Sequence, residues 1–432
     1  MKNRKALALI AILALVAAAC GGSDGGSDDA VVEVETTEAP ATTEAPTTTA
    51  APAPASDPLI LASLMPLSGD LASLGPGIAL GAALAVEQIN AAGGINGQPV
   101  QLIEGDSGCD GAVALTSLND VIAQGAQGVM GAACSGTSLA ILDTAIAAEV
   151  VMVSPSNTSP QFTKIDKKGF YARTAPSDLL QGDVLASLLV AHGVQTVSIN
   201  SRADSYGRGL AEATAAAFEA AGGTVKTIVY HATDASEFTS EVTAVGKGGA
   251  DAIVGILFPE TGCGVLQPAF EQGLLDTPWY MTDGVKDAGL ASLCGLGTAL
   301  DGFKGTAPGS AAGEAKDAFE AAYAEVSADG SPTFIFAPQA YDAVMLMAIS
   351  AAANGVTGPE IASGLVAASS GGEKCIGVAC IALAADGVDV DYVGASGEIE
   401  LNAVGDPTAA TYDIWTTEGD TNPVLKSVDF GS

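Results

Sequence analysis

Three stretches of this 432-residue chain set hydroxyls or a carboxylate directly after an apolar run. AQGVMGA (126–132) leads into Ala133-Cys134-Ser135-Gly136-Thr137-Ser138 and then into a second apolar segment. A strand followed there by a helix would aim free backbone N–H groups and the hydroxyls of Ser135 and Thr137 at one spot, a cradle for a carboxylate. Plain N-capping by a Ser or Thr accounts for the same residues. VVMVSPS (150–156) runs on into Asn157-Thr158-Ser159-Pro160, where hydroxyls crowd a proline-restricted loop; a solvated turn is the plainer reading. WYMTDGV (279–285) sets Asp283 just past a short strand, where an acid holds an ammonium group or simply sits in a surface turn.

These groups converge only if their strands lie side by side, because ligands of open parallel α/β sheets bind beyond the carboxyl ends of the strands. The pattern supplies such strands. Residues 59–68, 99–106, 126–132 and 150–156 read as strands, separated by helices over 76–92, 111–125 and 138–149. The rhythm resumes after Pro176, with helices over 178–192, 207–221 and 236–248 and strands over 196–201, 224–230 and 251–258. Short apolar strands alternating with amphipathic helices make parallel sheets covered on both faces. Two runs of the rhythm predict an α/β protein of two doubly wound lobes, not one oversized sheet.

The first 57 residues belong to neither run. Lys2, Arg4 and Lys5 precede the uninterrupted apolar run ALALIAILALVAAA (6–19), and the small, acidic GGSDGGSDDA follows Cys20. This is the layout of a secretory signal over 1–19. Its end, Val16-Ala17-Ala18-Ala19-Cys20, resembles the lipobox of bacterial lipoproteins, with Ala17 where Leu is usual. The resemblance implies an exported chain anchored to the outer face of the cell membrane by a lipid on Cys20. Residues 20–57 carry acids but no Lys or Arg, and repeat TTEAP at 36–40 and 42–46. Such a segment buries too little apolar area to offset chain entropy, which predicts a disordered tether with a reach on the order of 35 Å. Loss of the three signal cations takes the net charge from −34 to −37. So acidic a surface argues against any nucleic-acid partner.

Catalysis finds little support. With only His192 and His231 in the chain, and neither near a suitable Ser or Cys motif, a His-based triad is not built. No GxGxxG or Walker pattern appears, and no cofactor is expected. Six cysteines remain once Cys20 is set aside, and in an exported chain they suggest disulfides. Sequence proximity pairs Cys109 with Cys134, Cys263 with Cys294, and Cys375 with Cys380. A zinc site is the competing reading, but there is no CxxC pair and the two histidines are the sole extra ligands. Met345 and Met347 read as core packing. Glu260 either lines a cleft or starts a solvated helix.

AVEQINAAGGINGQPVQLIEGDSGCD (85–110) resembles the opening signature of type I periplasmic binding proteins, in the branch that binds leucine, isoleucine and valine for ABC transporters. GAACSGTS (131–138), VVMVSPSNTSP (150–160), DSYGRGL (204–210) and MTDGV (281–285) follow in that family's order. The resemblance implies two lobes joined by a three-crossover hinge that close on a ligand. It divides the chain into a first lobe of 58–176 with 307–393 and a second of 177–306 with 394–432. It also puts a disulfide on Cys109 and Cys134. Carried over residue by residue, it implies that Ser135 and Thr158 hold a carboxylate. Ser156 offers its backbone carbonyl to an ammonium, and Asp283 and Tyr206 come from the second lobe. Phe336 lines the side-chain pocket. Leu74 and Leu257 stand where leucine-binding relatives carry tyrosines. The implied function is capture of an amino acid or related small amide, a zwitterion by preference, for delivery to an ABC permease. A ligand-sensing receptor of the same fold and an exported enzyme are the alternatives.

Overall fold

The computed structural model describes residues 57–430 except Ser236. The expected signal, the expected lipidation site Cys20 and the linker as far as Ser56 lie outside the described residues. Within them, the alternation of apolar strands and Ala-rich helices produces two main sheets. Strands β1 (Ile60–Met65), β2 (Gln101–Asp106), β3 (Gly128–Gly131), β4 (Val151–Ser154) and β5 (Tyr171–Arg173) are all parallel, in the order β2-β1-β3-β4-β5. Helices α1 (Gly75–Ala91), α2 (Gly111–Ala123) and α3 (Ser135–Ala147) and the single turn α4 (Gln161–Lys164) connect them. β3 and β4 are buried throughout, as strands covered on both faces must be.

The second sheet begins with β6 (Thr196–Arg202), β7 (Thr224–His231), β8 (Ala252–Ile256), β9 (Trp279–Met281) and β10 (Lys304–Pro308). Its helices are α5 (Asp178–Ala191), α6 (Ser205–Ala220), α7 (Thr239–Gly246), α8 (Pro259–Glu271) and the short α9 (Leu290–Leu293). The chain then returns to the first sheet with α10 (Glu314–Val326), α11 (Ala337–Asn354) and α12 (Gly358–Gly364). A small sheet of β11 (Glu373–Ile376), β12 (Val390–Gly394) and β13 (Gly397–Glu398), with α13 (Ala379–Ala385), packs on α11. Finally β14 (Ala410–Thr416) and β15 (Val424–Phe430) complete the second sheet, in the order β15-β14-β10-β9-β8-β6-β7.

This last pair departs from the purely parallel sheets expected from sequence. β14 is antiparallel to β10, and β15 to β14; the short connection over 417–423 joins the last two strands as a hairpin, which needs no crossover helix. The chain passes between the two main sheets three times, at 174–177, 309–313 and 399–409.

Helix starts are fixed by side chains. The Asp110 carboxylate accepts from the N–H groups of Ala112 and Val113 at 2.8 and 3.0 Å to begin α2, and Asp204 accepts from Gly207 N at 2.8 Å to begin α6. One glycine is required by packing: a Cβ on Gly81 would lie 2.2 Å from Ala337 O, so only Gly lets α1 approach α11 this closely. Met345 and Met347 are fully buried on α11. Asp342, also on α11, accepts from Tyr392 Oη, Ala395 N, Ser396 N and Ser396 Oγ at 2.6–2.8 Å, which anchors the small sheet through a satisfied buried carboxyl.

Disulfides join Cys109 to Cys134, Cys263 to Cys294 and Cys375 to Cys380. The first ties the loop after β2 to the residue that opens α3, next to Ser135. It closes a loop with a sequence separation of 25, which in the chain-entropy treatment contributes about 3.5 kcal/mol. Replacing both cysteines by serine should lower the unfolding free energy in urea by about that amount. An unchanged denaturation midpoint would show that the denatured chain gains nothing from the missing link.

Candidate functional site

The loop after β4 carries two of the expected binding residues, Ser156 and Thr158, and a buried hydrogen-bond network shapes it. Ser154 Oγ donates to Ala132 O at 2.8 Å, and Asn157 Nδ2 donates to Ala132 O and Ala133 O at 3.1 and 2.8 Å. These bonds lock the loop against the end of β3. Tyr171 Oη donates to Asn157 Oδ1 at 2.9 Å. Beneath the loop, the fully buried Arg173 donates from Nη1 to Asn157 O and Ser159 O at 3.0 and 2.9 Å. Its Nε meets Asp406 Oδ1 at 3.0 Å, and its Nη2 reaches Thr163 Oγ1 at 3.1 Å. Burial works against the Asp406 charge, but Arg173, Thr163 and Lys167 outweigh it and hold the carboxyl below its ordinary range. Arg173 and Asn157 were not singled out from the sequence. The available signal was a lone cation ending the otherwise uncharged strand Tyr171–Arg173.

Ser135 and Thr137 stand in the first turn of α3, not in a loop before a helix beginning at 138 as expected. The helix starts early because Cys134 takes the extended backbone of the N-cap position. The first-turn amides therefore still face the end of the sheet. Ser135 Oγ accepts from Ser159 N at 3.4 Å, and Ser156 Oγ donates to Ala133 O at 3.2 Å.

From the second sheet, Asp283 opens a single helical turn (Asp283–Val285) just beyond β9 and is almost wholly buried. Gln181 Nε2 and Tyr206 Oη donate to its Oδ1 at 2.7 and 3.0 Å, and Tyr206 Oη also contacts Thr282 Oγ1 at 2.9 Å. Burial pushes the Asp283 carboxyl up to about 6, against the pull of those two donors. A second acid, Asp178, is fully buried at the start of α5, and burial followed by the nearby Asp283 drives its carboxyl well above the ordinary range. Burial, then Asp283, likewise raises the Tyr206 hydroxyl. Gln181 and Asp178 were missed in the sequence. Both belong to a helix whose apolar pattern hides them.

Ser135, Ser156, Tyr206, Asp283 and Phe336 line one cleft between the sheets, together with Leu71, Leu74, Ile78, Ala133, Phe258 and Gly284. Phe336 precedes α11 with φ 60°, an uncommon conformation for a bulky side chain, and lines the cleft. Thr158 does not line the cleft; it is fully buried on the same loop. Leu257 is corrected: it is buried in the core, and its neighbour Phe258 faces the cleft, because successive residues at the strand end point to opposite sides. The enclosed space admits the centre of a water-sized sphere over only ≈20 Å³. That is about one water's requirement, so an amino-acid-sized guest enters only when the walls part.

What holds the walls together is polar. Arg202 Nη2 meets Asp70 Oδ2 at 2.7 Å, Leu71 N donates to Glu260 Oε2 at 3.0 Å, and Ser159 Oγ donates to Ser205 O at 3.0 Å. The Arg202 guanidinium also lies 3.9 Å from the Phe258 ring centroid. Glu260 thus bonds across the cleft mouth instead of merely starting a solvated helix. Among the described residues there is no cluster of three metal-ligating side chains, and no helix is long and apolar enough to cross a membrane.

Two sheets bridged by three crossings, with a polar-ended cleft between them, set the frame for comparison with known proteins. Residues 58–374 match the periplasmic binding protein family. The chain belongs to that family. An "Amino acid binding protein" of Pseudomonas aeruginosa is 34% identical over 238 residues, 53% of this chain and 62% of the relative, so the chain spans less than two thirds of that relative's length. The leucine-, isoleucine-, valine-, threonine- and alanine-binding protein of the same organism is 29% identical over 304 residues, 68% of this chain and 78% of the relative. In fold the chain is similar to the branched-chain amino acid transporter substrate binding protein of Streptococcus pneumoniae, solved with isoleucine. The TM-score is 0.72 at 22% identity, covering 87% of this chain and all of that one. It is also similar in fold to an R. palustris solute binding protein solved with benzoate, with a TM-score of 0.70 at 19% identity, covering 86% and 96%.

The cross-cleft bonds make a measurable prediction. Asp70 is about a quarter exposed (24%), and the buried Arg202 keeps Asp204 Oδ2 at 2.9 Å without it, so removing the Asp70 charge should cost about 1 kcal/mol. Asp70→Asn should therefore speed ligand dissociation about two- to fivefold, with less difference from the parent in high salt. Identical dissociation rates at low salt would mean that the pair does not hold the closed form.

Proposed function

We propose that this periplasmic binding protein captures a small zwitterion, an amino acid with an apolar side chain, and presents it to an ABC importer. The observation that supports this most is the polarity of the cleft. First-turn amides and the Ser135 hydroxyl of α3 suit a carboxylate, and Asp283 opposite them suits an ammonium. Leu71, Leu74, Ile78, Phe258 and Phe336 leave an apolar space for the rest of the molecule. The two charged ends belong to different sheets, so only a guest carrying both rewards closure with both contacts. Ser156 is assigned the ammonium through its carbonyl, and Tyr206 holds Asp283 in place. The relatives named for leucine, isoleucine and valine support the ligand class, and Cys20 supports a membrane tether carrying the binding domain on its acidic linker.

The pH dependence follows from the raised Asp283 carboxyl. Its value of about 6 lies above the unfolded carboxylate value near 4. Between those values the folded, ligand-free protein holds a proton that the unfolded chain has released. Its contribution to stability is therefore complete below about pH 4 and is lost as pH rises through about 6. An ammonium ligand needs the ionised form. Affinity should hold above about pH 6 and fall up to about tenfold per unit below it.

Binding by the parent should weaken on the order of a hundredfold when the amine of the amino acid is acetylated, and Asp283→Ala should lose a similar factor for the free amino acid alone. Equal affinity for the free and acetylated compounds in the parent would move the protein to amide or aromatic-acid ligands. The anchor is tested separately: Cys20→Ser should leave the protein unprocessed or released from membranes. Fractionation and processing identical to the parent would remove the lipid from this account.

A further inference from the structure

A second cavity, larger than the cleft, lies against the three crossings between the sheets. Its volume is ≈380 Å³, within the range of small-molecule sites, and it shares no lining residue with the cleft. Pro176 of the first crossing, Ala311 and Ala312 of the second, and Pro407 and Ala409 of the third all border it. Gln339 of α11, buried in its wall, ties two of these segments together. Its Nε2 donates to Gly309 O at 3.0 Å, and its backbone carbonyl accepts from Thr174 Oγ1 at 2.7 Å.

Strand order puts this cavity behind the hinge. The cleft groups follow β1, β3, β4, β6, β8 and β9, whereas β14 and β15 lie across β10 from the second-sheet members of that set. Thr411 of β14 and Phe430 of β15 form part of one wall. Ile376, Val393 and Gly397 of the small sheet, which packs on α11, form part of the other, and β13 approaches β14 there. The second crossing is bonded to both walls: Ala311 N donates to Ser396 O at 3.1 Å and Gly309 N to Thr411 O at 2.8 Å. The walls therefore belong to opposite halves of the molecule, with the crossings between cavity and cleft. A rotation about the crossings that parts the cleft brings these rear walls together. One end of that see-saw is visible, with the cleft at ≈20 Å³ nearly full and the rear cavity open. An occupant of the cavity resists opening.

The lining decides what fits. Glycines and alanines leave the room, and Ile376, Val393, Ile399 and Phe430 make the surface apolar. At the rim, Glu398 is paired with Lys374, and Lys316 lies 3.6 Å from Glu320. Glu314 and Asp429 have no ion-pair partner among the described residues. A guest with an apolar body and one positive charge suits both features.

We propose that the rear cavity is a second ligand site, for a small organic cation with an apolar body, and that its occupation holds the cleft closed and tightens capture there. The inference rests on the cleft being the capture site. The coupling is reciprocal: a ligand in the cleft keeps the rear cavity open and tightens binding of the cation by the same factor. An amine that instead competed for Asp283 would weaken capture. The sign of the effect therefore separates the two sites.

The test is calorimetric titration of the full chain with L-leucine, with and without excess phenethylamine, an aromatic amine that lacks a carboxylate. The amine should raise the affinity for L-leucine about fivefold or more. Ala312 is exposed and borders the cavity, so Ala312→Phe fills part of it from a tolerant position. That variant should bind L-leucine more tightly than the parent and respond no further to the amine. Unchanged or weakened L-leucine affinity in the parent with the amine present overturns the proposal, as does a full amine response in Ala312→Phe. Should L-leucine not bind the parent, the capture reading fails for that ligand, and thermal unfolding judges the cavity by itself. Phenethylamine should then raise the unfolding midpoint of the parent and of Asp283→Ala alike, but not that of Ala312→Phe. No rise in the parent, a rise lost in Asp283→Ala, or one kept in full by Ala312→Phe overturns the site.

Discussion

A single buried guanidinium sets the geometry on which the cleft depends. Arg173 grips the carbonyls of Asn157 and Ser159 from below and Asp406 on the third crossing from the side. It therefore fixes the binding loop to the hinge, and it does so where water cannot compete. A buried cation without partners would cost several kcal/mol. Here Asp406, Thr163 and two carbonyls satisfy it, and the ion pair acts as a rigid corner. The side chains on the loop inherit their positions from that corner: Ser156 at the cleft wall and Thr158 buried behind it.

The opposite wall follows the reverse electrostatic logic. Asp178 and Asp283 are buried without an ion-pair partner among the described residues, and the donors present are neutral amide and hydroxyl groups. The carboxylate side of the cleft offers helix amides and hydroxyls, and the acid side is kept short of positive charge. That asymmetry is what the proposed capture of a zwitterion draws on, since an ammonium would supply the positive charge the buried acids lack. The cleft itself is nearly full, with Leu71, Leu74 and Ile78 among the side chains that line it.

Closure is held by a few polar contacts at the rim, Asp70 with Arg202, Leu71 with Glu260 and Ser159 with Ser205. Pairs of this kind are individually weak. Weakness suits a protein whose two halves must open again to give up what they hold. The buried interactions, Arg173 with Asp406 and Asp342 with the small sheet, instead fix the binding loop to the third crossing and the small sheet to α11.

Much of this was legible in the residues because it is local. Strand and helix follow from runs of about six to seventeen residues whose apolar spacing is written in order along the chain, and the polar strand ends mark where ligands bind in such sheets. The cysteine pairs are close in sequence and so were legible too. The tertiary structure alone decided which groups stand behind those ends. Arg173 finds Asp406 across a separation of 233 residues, and Gln181 finds Asp283 across 102. Leu257 is buried in the core while its neighbour Phe258, which opens α8 just past β8, lines the cleft, a choice between adjacent side chains that only the folded chain makes. Sequence fixes what each residue is able to offer; burial and long-range register determine whether that offer is charged, partnered and aimed at the ligand.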